Sequence, residues 1–423
     1  MQTEKERTDH LSCDTCGRRF EPGEVEMTCP DCGPGLGTLT VHYPYEAIAR
    51  ELTRETLASR GEPSHWRYLE ILPVSERPGA LHPRVGWTPL YELPALARSV
   101  GCARLFVKDD GLNPSASFKD RASSVGVARA LQAGQAVISA ASTGNAASSV
   151  SLFAACAGLR CVIFVPQGAP EAKLAQLLMF GAEVLAVRGS YDQAFDLCLE
   201  ACGRQGWYCR NTAVNPYLGE GKKTAALEIC EQLDFDPPDA VVVSVGDGCI
   251  IGGLWKGFCD FQRLGLIERL PRVYGVQAAG AAPLVAAFER GARAVEQTVE
   301  ARTLADSICV GRPRDHIKAL RAVRESGGAM LAVEDEEILE AMRRLAREAG
   351  VFAEPAGATG FAGLCRMSRE GLVGRDERAV VLVTGNGLKD VQTAIRAVER
   401  KPQAIDADLP ALERYLAGLV PGG

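Results

Sequence analysis

From about residue 100 onward, the chain alternates short apolar runs with longer stretches whose apolar positions recur every three or four residues. Runs of the first kind lie at Leu105-Phe106-Val107, Val137-Ile-Ser-Ala140, Cys161-Val-Ile-Phe-Val165, Glu183-Val-Leu-Ala-Val187, Ala240 to Val245 and Ala379-Val-Val-Leu-Val383. They predict strands, mostly buried on both faces. Stretches of the second kind, at 120–132, 146–156, 191–204, 334–349 and from Leu254 onward, predict helices. Regular alternation of the two predicts an α/β fold with parallel sheets. We expect two open α/β domains, a smaller one over 101–220 and a larger one over 221–400. Residues 41–100 read as a helical, proline-containing lead-in packed on the larger domain, 1–40 as a small separate segment, and 401–423 as a tail. No repeat or low-complexity tract breaks this plan.

In open α/β sheets, ligands bind outside the carboxyl ends of the strands, so the turns from strand to helix carry the chemistry. The turn Asn113-Pro-Ser-Ala-Ser-Phe-Lys-Asp-Arg121 places a lysine, Lys119, at the start of a helix. Ser117 is the expected N-cap, and Asp120 lies in the first turn, where the helix dipole favours a carboxylate. Ser142-Thr143-Gly144-Asn145 follows the second strand, and its hydroxyls, glycine and free helix amides make a nest for a carboxylate. The loop Gly246-Asp247-Gly248-Cys249-Ile250 precedes the helix expected from Leu254 and suits a phosphate. Ile251 stands where a dinucleotide fingerprint needs glycine. A fourth strand ends in Thr384-Gly-Asn-Gly-Leu-Lys-Asp390, with a hydroxyl at its head. Taken singly, these are a surface lysine, a cap and turn residues; together they argue for one site.

A lysine amine, a phosphate nest, a carboxylate nest and a hydroxyl are the parts that pyridoxal phosphate chemistry requires. These turns, with Gly86-Trp-Thr-Pro-Leu90, Val107-Lys-Asp-Asp-Gly-Leu-Asn-Pro114, Asn215-Pro216, Glu220-Gly221 and Glu354-Pro-Ala356, run in order over roughly residues 60–400. This set resembles the threonine synthase family, within the tryptophan-synthase-β-like, fold type II group of pyridoxal phosphate enzymes. The resemblance implies that Lys119 carries the cofactor, that Asn145 hydrogen-bonds the ring's 3-hydroxyl and that Thr384 faces the ring nitrogen. It also implies that Gly246, Asp247, Gly248, Cys249 and Ile250 wrap the cofactor phosphate, while Ser142, Thr143 and Gly144 hold the substrate's carboxylate. The implied reaction eliminates phosphate from O-phosphohomoserine and adds water at the β-carbon. A symmetric homodimer is the expected assembly.

Two positions depart from that family. Its members commonly read Asn-Pro-x-Arg, whereas this chain has Asn215-Pro-Tyr-Leu218 and so lacks an arginine suited to a substrate phosphate. In place of the usual Gly-Asn-Ala-Gly-Asn, it carries Gly246-Asp-Gly-Cys-Ile250, and the Asp247 carboxylate repels a phosphate unless it points away or meets a cation such as Lys222 or Lys223. Phosphohomoserine is therefore expected to bind weakly, and Leu218→Arg to improve it.

Near the start, Cys13-x2-Cys16-x12-Cys29-x2-Cys32 has the spacing of a structural zinc ribbon, four thiolates in a closed tetrahedral site. Some threonine synthases resemble it here too. A redox pair does not fit two knuckles without a βαβ pattern. A nucleic-acid ribbon does not fit a segment in which Asp14, Glu21, Glu24, Glu26 and Asp31 outnumber Arg18 and Arg19.

At 423 residues, 47% hydrophobic and net charge −6, the chain can bury large cores and has no basic excess to draw it to nucleic acid or membrane. No apolar run reaches transmembrane length, and the charged stretch Met1 to His10 is no signal peptide. Fifteen cysteines, an odd number spread over apolar faces, suit reduced thiols in a cytoplasm; Cys249 reads as a small filler rather than a nucleophile. The second expectation is a related enzyme acting on another amino acid: a β- or γ-replacement enzyme, an ammonia-lyase or an amino-ketoacid thiolase subunit. From a different class, a zinc-ribbon binding protein with an inactive enzyme domain is the third.

Overall fold

The computed structural model describes residues 7–169, 171–398, 400 and 402–419. The charged residues 1–6 and Lys401, at the head of the expected tail, lie outside the described residues.

Strands β1 (His10–Cys13), β2 (Arg19–Phe20) and β3 (Leu39–His42) form a small antiparallel sheet in the order β2-β1-β3. Next come β4 (Leu90–Glu92) and β5 (Arg104–Asp109). The strands β6 (Val137–Ala141), β7 (Arg160–Pro166), β8 (Glu183–Val187) and β9 (Tyr208–Cys209) build a parallel sheet in the order β8-β7-β6-β9. Last, β10 (Ala240–Ser244), β11 (Arg272–Ala278), β12 (Met330–Val333) and β13 (Arg378–Val383) join β4 and β5 in a six-stranded sheet, ordered β12-β11-β10-β13-β5-β4. Only β4 runs antiparallel in that sheet.

The apolar runs are continuous because both sheet faces are covered. Val241, Val243, Val380 and Leu382 pack beneath the helices Tyr217–Gln232 and Cys249–Arg263, while Val107, Val242 and Val381 pack against Pro355–Arg369 on the other face. Each of these seven side chains is fully buried.

Three expectations are corrected. Residues 101–220 do not share one sheet, because β5 pairs with β13 from Arg104↔Arg378 to Asp109↔Val383. Alternation along the chain predicts a strand, but not which sheet receives it. The lead-in is not purely helical: Leu39–His42 completes the small sheet, and Leu90–Glu92 is the edge strand of the large one. The helix expected from Leu254 begins at Cys249, since Gly248, at φ +93°, makes the turn by itself.

Candidate active site

The lysine turn is pinned from below. The Phe118 N–H donates to Thr384 O at 2.9 Å, and Ser117 pairs with Gly385 in an antiparallel bridge. Lys119 then opens the helix Lys119–Gln132. Ser117 is not its cap, for the capping position belongs to Phe118 and carries no side-chain bond. Asp120 turns back instead, accepting from the Ser115 N–H at 2.6 Å and its hydroxyl at 2.5 Å. Arg121 enters a fully buried charge network: its Nε donates to Asp110 Oδ2 at 2.6 Å, its Nη1 to Glu228 Oε1 at 2.5 Å, and Lys108 Nζ meets Glu228 Oε2 at 2.7 Å. The residues that flank the lysine thus fix its position.

One cavity of about 300 Å³ gathers Lys119, Ser142, Thr143, Gly144, Asn145, Gly246, Asp247, Gly248, Cys249, Ile250 and Thr384. The structure brings together every site residue that the four strand-end turns predict. Two glycines of the phosphate-loop and Thr384 turns leave no room for a side chain: a Cβ at Gly248 would lie 2.7 Å from Ala319 Cβ, and one at Gly385 2.3 Å from Glu354 Oε1. The helix Cys249–Arg263 has no side-chain cap, so its first amides remain for an anion. An amine in the wall, an uncapped helix start and a glycine-bearing loop fit pyridoxal phosphate.

The electrostatics suit a working amine. Burial, and then the charges of Lys222 and Arg210, lower the Lys119 pKa to about 8. Burial raises Glu354 to about 7, against the pull of Lys119 and of the Asn145 Nδ2, which donates to Glu354 Oε1 at 2.8 Å. Asp247 lines the cavity, where its Oδ1 accepts from the Arg314 N–H at 3.1 Å and its charge meets those of Lys119 and Lys222. Burial pushes the Cys249 thiol up, in keeping with a filler. Of the two lysines expected to offset Asp247, Lys223 is turned aside onto Asp260 at 2.7 Å, and Lys222 lines the cavity. Leu218 is buried against Gly126.

Sequence reasoning missed Arg210, Ser307 and the place of Glu354. Arg210 follows β9, only two residues long, and a cation just beyond an apolar pair was its only mark. Ser307, 3.4 Å from Asn145 Nδ2, lies in a segment without a motif. Glu354 belongs to a quoted motif that had no role.

At the other end of the chain, the Sγ atoms of Cys13, Cys16, Cys29 and Cys32 all lie within 4.8 Å of one another. A tetrahedral zinc with bonds of about 2.3 Å to sulfur places its ligands about 3.8 Å apart. Cys16 and Cys29 stand at 3.8 Å.

The family model for "Pyridoxal-phosphate dependent enzyme" matches residues 81–385. Threonine synthase from Methanocaldococcus jannaschii is 42% identical over 408 residues, covering 96% of this chain and 99% of that protein. Threonine synthase from Methanosarcina acetivorans is 41% identical over 410 residues, 97% and 99% of the two chains. Among solved structures, diaminopropionate ammonia lyase from Escherichia coli superposes with TM-score 0.63 over 74% of this chain and 87% of that one, at 20% identity. Threonine deaminase isoform 2 from Solanum lycopersicum does so with TM-score 0.62 over the same shares, at 21% identity. These two share the fold. With most of its length matched at about two residues in five, the chain belongs to the threonine synthase family of pyridoxal-phosphate dependent enzymes.

Proposed function

We propose that this protein is a lyase that converts O-phospho-L-homoserine and water to L-threonine and phosphate. The observation that carries the reading is the convergence of Lys119, the Ser142–Asn145 turn, the Gly246–Ile250 loop and Thr384 on one cavity. Pyridoxal phosphate supplies the electron sink when bound. Lys119 Nζ holds it, and takes and returns the protons on the substrate carbons; its pKa, lowered to about 8, leaves about a tenth of the amine unprotonated at pH 7, far more than in an exposed lysine. Asn145 addresses the ring hydroxyl, Thr384 the ring nitrogen, and Gly246, Asp247, Gly248, Cys249 and Ile250 the cofactor phosphate. Ser142, Thr143 and Gly144 bind the substrate's carboxylate. A neutral hydroxyl at the ring nitrogen makes a moderate sink, which leaves more of the proton traffic to Lys119.

One structural zinc on Cys13, Cys16, Cys29 and Cys32 completes the protein. Fifteen cysteines with no disulfide among the described residues suit a cytoplasmic setting. Exposed Leu388, Val391, Ile395 and Val398, close together along the chain, suit cover by a second copy in a homodimer. Among the described residues, no helix is long and apolar enough to cross a membrane.

The test is stoichiometric release of threonine and phosphate from O-phospho-L-homoserine. Lys119→Ala should lose the visible absorbance of the lysine-bound cofactor and all turnover while the far-ultraviolet circular dichroism stays unchanged. Cofactor absorbance without threonine would move the assignment to a relative acting on another amino acid, and absence of cofactor would leave only a binding protein.

A further inference from the structure

Two cations in the cavity wall stand without a paired carboxylate among the described residues. Arg210 and Lys222 keep 2% and 3% of their surface, and both line it. Among the described residues, the Arg210 guanidinium donates to the hydroxyl of Ser123 alone, from Nε at 3.2 Å and from Nη2 at 3.1 Å. Among the described residues, no carboxylate pairs with either cation. The other buried cations nearby are treated differently. Arg121 has Asp110 and Glu228, Lys108 has Glu228, and Lys223 has Asp260 and Glu220. A buried charge without a counter-ion is retained where a ligand supplies one. Of the three acids in the cavity wall, Asp247 is committed to the Arg314 N–H and Glu354 to Asn145, and Asp306 is also engaged but is paired with neither cation.

The placement of Lys222 accounts for Leu218. Both lie on the helix Tyr217–Gln232, one turn apart, and so on the same face. A cation lost at 218 is replaced from 222, while Arg210 approaches from the end of β9. The uncapped start of the helix Cys249–Arg263 already provides for the cofactor's phosphate, so the two cations are free for a second anion.

We infer that Arg210 and Lys222 grip the γ-phosphate of the substrate, the group that leaves, an inference that rests on the reaction proposed above. Lys119 takes a proton from the β-carbon, the pair left behind forms the β–γ double bond, and as the bond from the γ-carbon to the ester oxygen breaks its electron pair stays on that oxygen, which leaves as phosphate. The two cations meet this growing charge, so they stabilise the breaking bond more than the bound substrate.

The test uses the cofactor-loaded enzyme and two probes, inorganic phosphate by titration calorimetry and O-phospho-L-homoserine by kinetics. Lys222→Met and Arg210→Gln should each weaken phosphate binding and lower kcat/KM by about tenfold or more, with cofactor absorbance retained. Lys222→Arg, which keeps the charge, should stay within about threefold of the native enzyme. Wild-type phosphate affinity in both Met and Gln variants overturns the inference. So does loss of cofactor absorbance with unchanged phosphate affinity in the loaded fraction, which would place the cations on the cofactor's phosphate. If Arg210→Gln does not fold, Lys222→Met decides alone. A native enzyme that releases nothing from phosphohomoserine, yet binds phosphate through Lys222, would refute the reaction while upholding the anion grip.

Discussion

Glu354 shows how far one side chain's burial can tune a site. Its carboxyl, ordinarily at 4.5, is held at about 7 by burial, with Lys119 and Asn145 opposing. Because the folded form holds its proton more tightly than the unfolded chain, the resulting stability is complete below about pH 4.5 and is lost as pH rises through about 7. Thermal unfolding of Glu354→Gln should therefore fall less between about pH 5 and pH 8 than that of the native protein. Equal slopes would show that this carboxyl is not what titrates. The same residue marks the limit of reading a sequence. Lys119, Asn145 and Thr384 declare themselves, since each sits just after an apolar run and in a turn. Glu354 and Arg210 do not, because their meaning comes from partners 209 and 87 positions away. Leu218 was legible as a departure but not as a compensated one. Lys222 and Arg210 now fill its role, so Leu218→Arg, which would crowd Gly126, is no longer expected to help.

At the scale of elements, the segment Ser117-Phe-Lys-Asp-Arg121 works as an anchor around the lysine. Arg121 ties the helix Lys119–Gln132 to Asp110 beyond β5 and to Glu228 on the helix Tyr217–Gln232. Removing one member leaves the others charged and buried, which costs about 3–5 kcal/mol. Arg121→Ala should lose stability on that scale in denaturant unfolding, and cofactor retention should fall with it as the lysine turn loosens. A change below about 1 kcal/mol would mean that water or repacking replaces the guanidinium. The central strands were legible because a sheet covered on both faces needs unbroken apolar runs. Where β5 belongs was not, since its pairing with β13 spans 274 positions of sequence, Arg104 to Arg378. The two-residue strands β2 and β9 carry too little pattern to be seen.

Across the whole molecule, the cysteine segment is joined to the catalytic half. Asp14 pairs with Arg321 at 2.7 Å, Lys318 donates to Leu39 O at 2.7 Å, and the Tyr43 and Tyr45 hydroxyls donate to Glu220 at 2.7 Å and Asp260 at 2.6 Å. Those two acids lie on the helices Tyr217–Gln232 and Cys249–Arg263, the second of which begins at the phosphate loop. Elemental analysis should find about one zinc per chain. Its loss in Cys29→Ser should lower the unfolding midpoint and the occupancy of the cofactor together. Native protein without zinc would rule the metal out. The chain crosses from the six-stranded sheet to the four-stranded sheet through the helix Lys119–Gln132 and returns through Tyr217–Gln232, and these helices pack so closely that a Cβ at Gly221 would lie 1.9 Å from Arg121 O. The two crossings form a spine, and the sheets are pages on either side of it. At the open margin, Asn145 on Glu354 and Lys389 on Gln176, at 2.6 Å, act as clasps. What joins the pages there is side-chain bonds, with Ser148, Ser307 and the Arg314–Asp192 pair adding to the clasps, so a molecule arriving between them meets no strand ladder.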